Sequence, residues 1–177
     1  NRLVEELLTF AQPSLADFES CDMNKLVKEV VGLVRFESRN RKVEVVEDYA
    51  PDLPRVNGDP EKLGRAFLNI VQNAFQAVPN DGRVSISTEL TAGKNGGPSR
   101  RVAISVCNTG SFIAPDLRKQ IFQPFFTTKP QGTGLGLPIA SQIIVGHKGQ
   151  IDVESDPDRG TTFRIEIPCV SPALAIL

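Results

Sequence analysis

The run from Asp59 to about Val78 commits this chain to a helix that must lie on a second apolar surface. Asp59-Pro60 is a strong start, a side-chain acceptor at the N-cap followed by a residue whose φ is already helical. Behind it Leu63, Phe67, Ile70, Val71, Ala74 and Val78 recur at the spacing of one helical face. The surface it needs follows at once. Asn80-Asp81-Gly82 predicts a turn, then Val84, Ile86 and Thr88 alternate with polar neighbours, and Val102, Ile104 and Val106 do the same. Thr91 to Ser99, rich in Gly, Lys and Asn, predicts an exposed loop that joins these strands as a hairpin.

The flanks extend this plan. Leu3, Val4, Leu7, Leu8 and Ala11 sit at helical spacing over residues 1 to 12 and stop at Pro13, as the tail of a longer helix would. A second helix is expected behind Asp22, with Leu26, Val27, Val30, Val31 and Val34 on one face, and Val43 and Val45 predict a strand covered on one side. Downstream, a short helix is expected near Pro115 to Phe122 and another from about Leu135 to Val145, stopping at Gly146 or Gly149. Ile151 and Val153, then Phe163, Ile165 and Ile167, predict the last two strands. Helices followed mainly by hairpin strands define a mixed α+β two-layer sandwich, not an alternating doubly wound fold.

Composition narrows the chemistry. Lys+Arg 20 against Asp+Glu 21 leaves a net charge of -1, which argues against nucleic acid as a partner, so any phosphate recognition must be local. No apolar stretch approaches the roughly 20 residues of a spanning helix, and the opening NRLVEELL carries acids where a signal peptide has bases. The expected location is the cytoplasm, with any membrane anchor of the full-length protein lying elsewhere. Cys21, Cys107 and Cys169 lie far apart and signal neither a disulfide framework nor a zinc site.

Two segments stand out. Asn69 and Asn73 lie one turn apart on one face of the helix, with Gln76 on the same edge. Amides in so apolar a helix need partners: they bridge neighbouring backbone, or they lend carbonyl oxygens to a hard cation such as Mg²⁺. Gly132-Thr133-Gly134-Leu135-Gly136-Leu137 precedes a helical pattern, either as a plain flexible turn or as a phosphate cradle at a helix start. It has neither the Walker ending nor the dinucleotide spacing.

Taken together, AFLNIVQNAFQAV (66–78), VCNTGSFI (106–113), IFQPFFTTK (121–129) and GTGLGLPIA (132–140) resemble, in order and spacing, the N, G1, F and G2 boxes of sensor histidine kinases. The likeness runs from roughly residue 20 to 168, and Gln76 and Lys129 are similar to the nitrogen-regulator branch. The resemblance implies the Bergerat α/β sandwich shared with gyrase, mismatch-repair and heat-shock chaperone ATPases, binding ATP and Mg²⁺ beneath a mobile lid. It implies residues 1–13 as the end of a dimerisation and phosphoacceptor helix, 14–170 as the ATP-binding catalytic domain and 171–177 as a tail.

By the same resemblance Asn73 is the Mg²⁺ ligand, while Asn69 lies beside the phosphates or orients water. Gly132, Thr133, Gly134, Leu135, Gly136 and Leu137 present backbone to the phosphates. Thr127, Thr128 and Lys129 belong to the lid, with Lys129 neutralising γ-phosphate charge, and Asn69 and Lys129 are the candidate catalytic residues. Asn108, Gly110 and Thr161 are expected around the adenine. Phe122, Phe125 and Phe126 serve either lid and core packing or the ligand. Two G1-box positions depart from the pattern: Asn108 replaces an aspartate and Phe112 a glycine, and Phe112 either stacks on the base or takes its space. His147, the only histidine, is expected to be structural, an imidazolium suited to a helix end. The phosphoacceptor histidine is expected upstream of residue 1, on a helical domain of the same homodimeric protein, with a response regulator as the next partner. The alternatives are a nucleotide-binding regulatory module that transfers no phosphate and, against the evidence of residues 1 to 12 and the lid, a sigma-factor-restraining serine kinase.

Overall fold

The computed structural model describes residues 17–92, 100–130 and 132–170. The segments 1–13 and 171–177, expected as a dimerisation helix and a tail, and most of the 91–99 loop lie outside the described residues. In chain order the elements are β1 (Glu19–Cys21), α1 (Met23–Glu37), β2 (Glu44–Tyr49), β3 (Val56–Gly58) and α2 (Pro60–Ala77). They continue with β4 (Arg83–Ala92), β5 (Arg100–Asn108), a 3-10 turn at Gln120–Phe122, α3 (Gly136–Gly146), β6 (Gln150–Asp156) and β7 (Gly160–Pro168). Five strands form one mixed sheet in the order β2-β4-β5-β7-β6, and only the β2–β4 pair is parallel.

The expected stripes meet in a single core. Leu63, Phe67, Ile70, Val71 and Ala74 of α2 are fully buried with Val84 and Ile86, Val102, Ile104 and Val106, and Phe163, Ile165 and Ile167 of the three central strands. Val27, Val31 and Val34 of α1 and Ile144 of α3 join the same cluster. The sheet's inner face therefore carries the helices, the two-layer α+β arrangement expected from the sequence. Its other face holds ion pairs such as Arg164 to Glu89 at 2.7 Å and Arg164 to Glu166 at 3.2 Å.

The ends of α2 are held chemically. Asp59 accepts from the Lys62 N–H at 3.0 Å, with Pro60 in the first turn, and Arg41 donates to the carbonyls of Phe75 and Val78 at the far end.

Three features differ from expectation. β1 and β3 form a separate antiparallel ribbon, Glu19 opposite Gly58, that no periodicity announces in three residues. The helix expected near Pro115 to Phe122 is a run of turns ending in one 3-10 turn. α3, by contrast, ends at Gly146 as expected, and Lys148 just beyond it has φ 58. His147 is structural as expected, but not as an imidazolium. Its Nε2 accepts from the Asp59 N–H at 2.9 Å, which requires a lone pair, while Nδ1 donates to the Ile143 carbonyl at 2.8 Å. A Cβ on Gly58 would come within 2.9 Å of this ring, so Gly58 gives it room.

Candidate functional site

A cleft of about 760 Å³ opens between α2, the end of β5, the start of β7 and residues drawn from 111–130 and 132–138. One wall is the polar edge of α2, Asn69, Asn73 and Gln76, and the floor at the far end is Asn108 beside Thr161. Strand register explains that floor: Asn108 ends β5 directly opposite Thr161 on β7. Thr127, Thr128, Lys129, Gly132, Thr133, Gly134, Gly136 and Leu137 complete the lining. Gly110 and Leu135 are the two expected contacts that lie outside it. Gly110 (φ 74) packs on Pro79, whose Cδ would be 2.6 Å from an added Cβ, and Leu135, at the N-cap of α3, is fully buried.

The glycines of the 132–136 segment are small for different reasons. Gly134 has φ 68, and a Cβ there would lie 2.4 Å from the Phe125 carbonyl carbon; Phe125 itself has φ 67 and donates its N–H to the Gly134 carbonyl at 3.0 Å. A Cβ on Gly132 would meet Thr127 Oγ1 at 2.4 Å. At Gly136 no protein atom demands glycine, because the nearest neighbour, Asn69 Cγ, would be 3.7 Å away. That open space adjoins the start of α3, which has no side-chain cap and no acidic residue in its first turn. Unpaired N–H groups and the positive end of the helix dipole thus meet a glycine-sized gap.

Across the cleft, Lys129 Nζ donates to Asn73 Oδ1 at 2.7 Å and to Gln76 Oε1 at 2.9 Å, and burial pushes the ammonium below its usual range. Asn73 and Gln76 on this edge of α2 are therefore bound by the Lys129 cation and not bridged to backbone. At the other end Asn108 is 1% exposed and its Oδ1 has no hydrogen-bond partner. Its Nδ2 donates to Ser111 Oγ at 2.6 Å. Ser111 escaped the sequence reading, because its neighbour Thr161 is 50 residues away and only the fold joins them.

The phenylalanines divide. Phe122 packs edge-on against core Phe163 with ring centroids 6.4 Å apart, Phe126 lines the cleft, and Phe125 is 62% exposed. Phe112 is 49% exposed on the cleft wall, so it does not fill the protein core.

Comparison with known proteins defines the class. Residues 58–171 match the family of histidine kinase-, DNA gyrase B-, and HSP90-like ATPases. The chain belongs to that family, as an ATP-binding catalytic domain of the sensor histidine kinase type. It is 36% identical over 168 residues to the sensor histidine kinase ZraS of Escherichia coli (strain K12), covering 95% of this chain and 35% of that protein. The solved catalytic domain of histidine kinase ThkA, in a nucleotide-free form, is 34% identical with a TM-score of 0.75, over 86% of this chain and 95% of that chain. A structure of ThkA in complex with the response regulator protein TrrA has 30% identity and a TM-score of 0.79, over 98% of this chain and 48% of that chain. The chain thus spans about a third of the length of ZraS. Among the described residues no helix is long and apolar enough to cross a membrane.

Proposed function

We propose that the cleft binds ATP with Mg²⁺ and presents the γ-phosphoryl group to a histidine on a helical domain of the same protein. The phosphate end of the cleft carries this reading: the uncapped start of α3, the gap at Gly136 facing Asn69, and the Lys129 ammonium opposite. The helix start and the ammonium are positive poles on either side of that gap, which is what a triphosphate requires. Asn108 Oδ1, a buried acceptor without a partner, suits the amino group of adenine at the other end.

Asn73 offers a carbonyl oxygen suited to Mg²⁺, which takes few protein ligands beside phosphate oxygens. The metal, when bound, neutralises phosphate charge. Asn69, on the same helix face one turn earlier, lies against the start of α3 and would contact the phosphates or hold a water there. Lys129 would leave Asn73 for the γ-phosphate, and Gly132 to Leu137 would supply backbone N–H groups. Catalysis in this scheme is positioning and charge neutralisation around an in-line transfer, with no covalent chemistry asked of the chain.

The relatives' names support kinase activity, and the ThkA complex supports a response regulator as the next acceptor. Residues 1–13 would belong to the end of the dimerisation and phosphoacceptor helix of a homodimer, residues 14–170 to the catalytic domain working in the cytoplasm. The module without transfer activity gains no support from these relatives.

Calorimetry with ATP in the presence and absence of Mg²⁺, on the chain and on Asn73→Ala, tests the site. Tight binding that needs Mg²⁺ only in the parent is expected; equal metal dependence in both removes Asn73 as the ligand. Labelled ATP supplied to the full-length protein should leave acid-labile, base-stable phosphate on its helical domain.

A further inference from the structure

An aspartate shows the base an oxygen whichever way it turns, whereas an asparagine shows an oxygen or an NH₂. The side chain at position 108 therefore has an orientation that must be set. Its neighbours set it. Asn108 Nδ2 faces the Thr109 carbonyl at 3.4 Å and Ser111 Oγ at 2.6 Å. The carbonyl can only accept. The hydroxyl is made an acceptor by its own commitments: Ser111 Oγ donates to Thr161 Oγ1 at 3.2 Å, and Thr161 Oγ1 donates to the Ser111 carbonyl at 3.1 Å. Ser155 Oγ accepts the Ile113 N–H at 2.8 Å and donates to Thr161 Oγ1 at 2.7 Å. Every hydroxyl proton of the relay has a place, and the unpartnered atom left over is Asn108 Oδ1.

We propose that Ser111 is a specificity-determining positioning residue: it keeps the Asn108 amide nitrogen engaged and its oxygen free to accept, so that the cleft prefers a purine bearing an amino group to one bearing a carbonyl. Turning the amide would place Nδ2 against the O6 of guanine. With Ser111 present that turn exchanges two hydrogen bonds, Nδ2 to Ser111 and Ser111 to Thr161, for one, and sets Oδ1 against the Thr109 carbonyl. Without the hydroxyl only the long contact to Thr109 opposes it. The inference rests on the nucleotide reading of the cleft.

The test is calorimetric affinity for ATP and for GTP, each with Mg²⁺, in the parent, Ser111→Ala, Ser111→Thr, Asn108→Asp and the double variant Asn108→Asp with Ser111→Ala. Ser111 is half-buried and Thr161 keeps its bonds to the residue 111 carbonyl and to Ser155, so the fold is retained. Ser111→Ala should narrow the ATP-to-GTP preference about fivefold, the worth of one neutral hydrogen bond. Ser111→Thr, which keeps the hydroxyl, should restore the parent ratio. In the Asn108→Asp background the same Ser111→Ala change should leave the ratio where it was, because a carboxylate has two equal oxygens. An unmoved ratio in Ser111→Ala, or an equal shift in the Asp background, overturns the inference alone. A parent chain that binds neither nucleotide overturns the nucleotide reading, and this inference with it.

Discussion

The ammonium of Lys129 sits 2.7 Å from the carbonyl oxygen of Asn73, so the lid is fastened to α2 through the very atom suited to a metal ion. If Asn73 holds Mg²⁺ as proposed, Lys129 and the metal would compete for one oxygen, and Lys129 would have to leave it before reaching a phosphate. Lys129→Ala should release the lid in the nucleotide-free chain. Hydrogen exchange at the Phe125 and Gly132 amides, which donate to Gly134 and Lys129 carbonyls, should speed up. Exchange unchanged from the parent would mean that the lid is held by its own turns.

Asp59 gives a prediction with a definite pH sign. Burial pushes its carboxyl up, but the backbone N–H groups of Lys62 and Asp17 and the Lys62 charge outweigh this and hold it below the usual carboxylate range. A lowered carboxyl contributes stability that is present above its unfolded value, about 3.9, and is lost as pH falls through the folded value. Asp59→Ala should therefore cost about 1–2 kcal/mol near neutrality. Denaturant titrations at pH 7 and in acid should show the deficit shrinking as the parent's carboxyl takes up its proton; a constant deficit would place the effect in packing alone.

His147 should take no phosphate. It is 5% exposed, with both ring nitrogens engaged, so labelled ATP should leave no acid-labile label on this residue. His147→Ala should instead cost about 2–4 kcal/mol, by leaving the buried Asp59 N–H unpaired and by opening a gap beside Phe18, whose ring lies 5.0 Å away. Thermal unfolding measures the second effect, mass spectrometry the first.

Asn108→Asp restores a charged acceptor, which should raise ATP affinity by up to about fivefold, since charge-assisted bonds exceed neutral ones by about 1 kcal/mol. Part of that gain is offset, because one carboxylate oxygen would replace Nδ2 in front of the Thr109 carbonyl. Adding Phe112→Gly distinguishes a ring that stacks on the base from one that takes its space: the first loses affinity, the second gains it. No gain from either variant would remove adenine from this end of the cleft.

The sequence disclosed what local chemistry controls. Asp59-Pro60 and a broad apolar stripe specify α2 without help, and alternating Val and Ile specify the central strands. β1 and β3 were invisible because three residues have no period; they exist through pairing with each other, with Val56 also bridging Cys169. The 115–122 segment departs from the expected helix for a related reason. Its shape is fixed from outside, by Arg118 donating to the Ser155 carbonyl at 2.6 Å and to the Ile113 carbonyl at 3.4 Å. Ser111 belongs with these: nothing local marks it, and its chemistry comes from residues on β6 and β7.

The bond from His147 to the Asp59 N–H joins the last turn of α3 to the first turn of α2, packed over Gly58 with no space to spare. These are the helices that line the end of the cleft at Asn69 and Gly136. Tied in this way at the end of α3 away from Gly136, they would keep their spacing when a ligand enters the cleft. Adjustment to a bound ligand then falls to the covering segment, where the adjacent left-handed residues Phe125 and Gly134 make a crease that permits few alternatives. Grip on the proposed ligand would then depend on one covering part closing on an anvil, so substitutions that loosen the crease should act on ligand residence time and leave the helix pair unaltered.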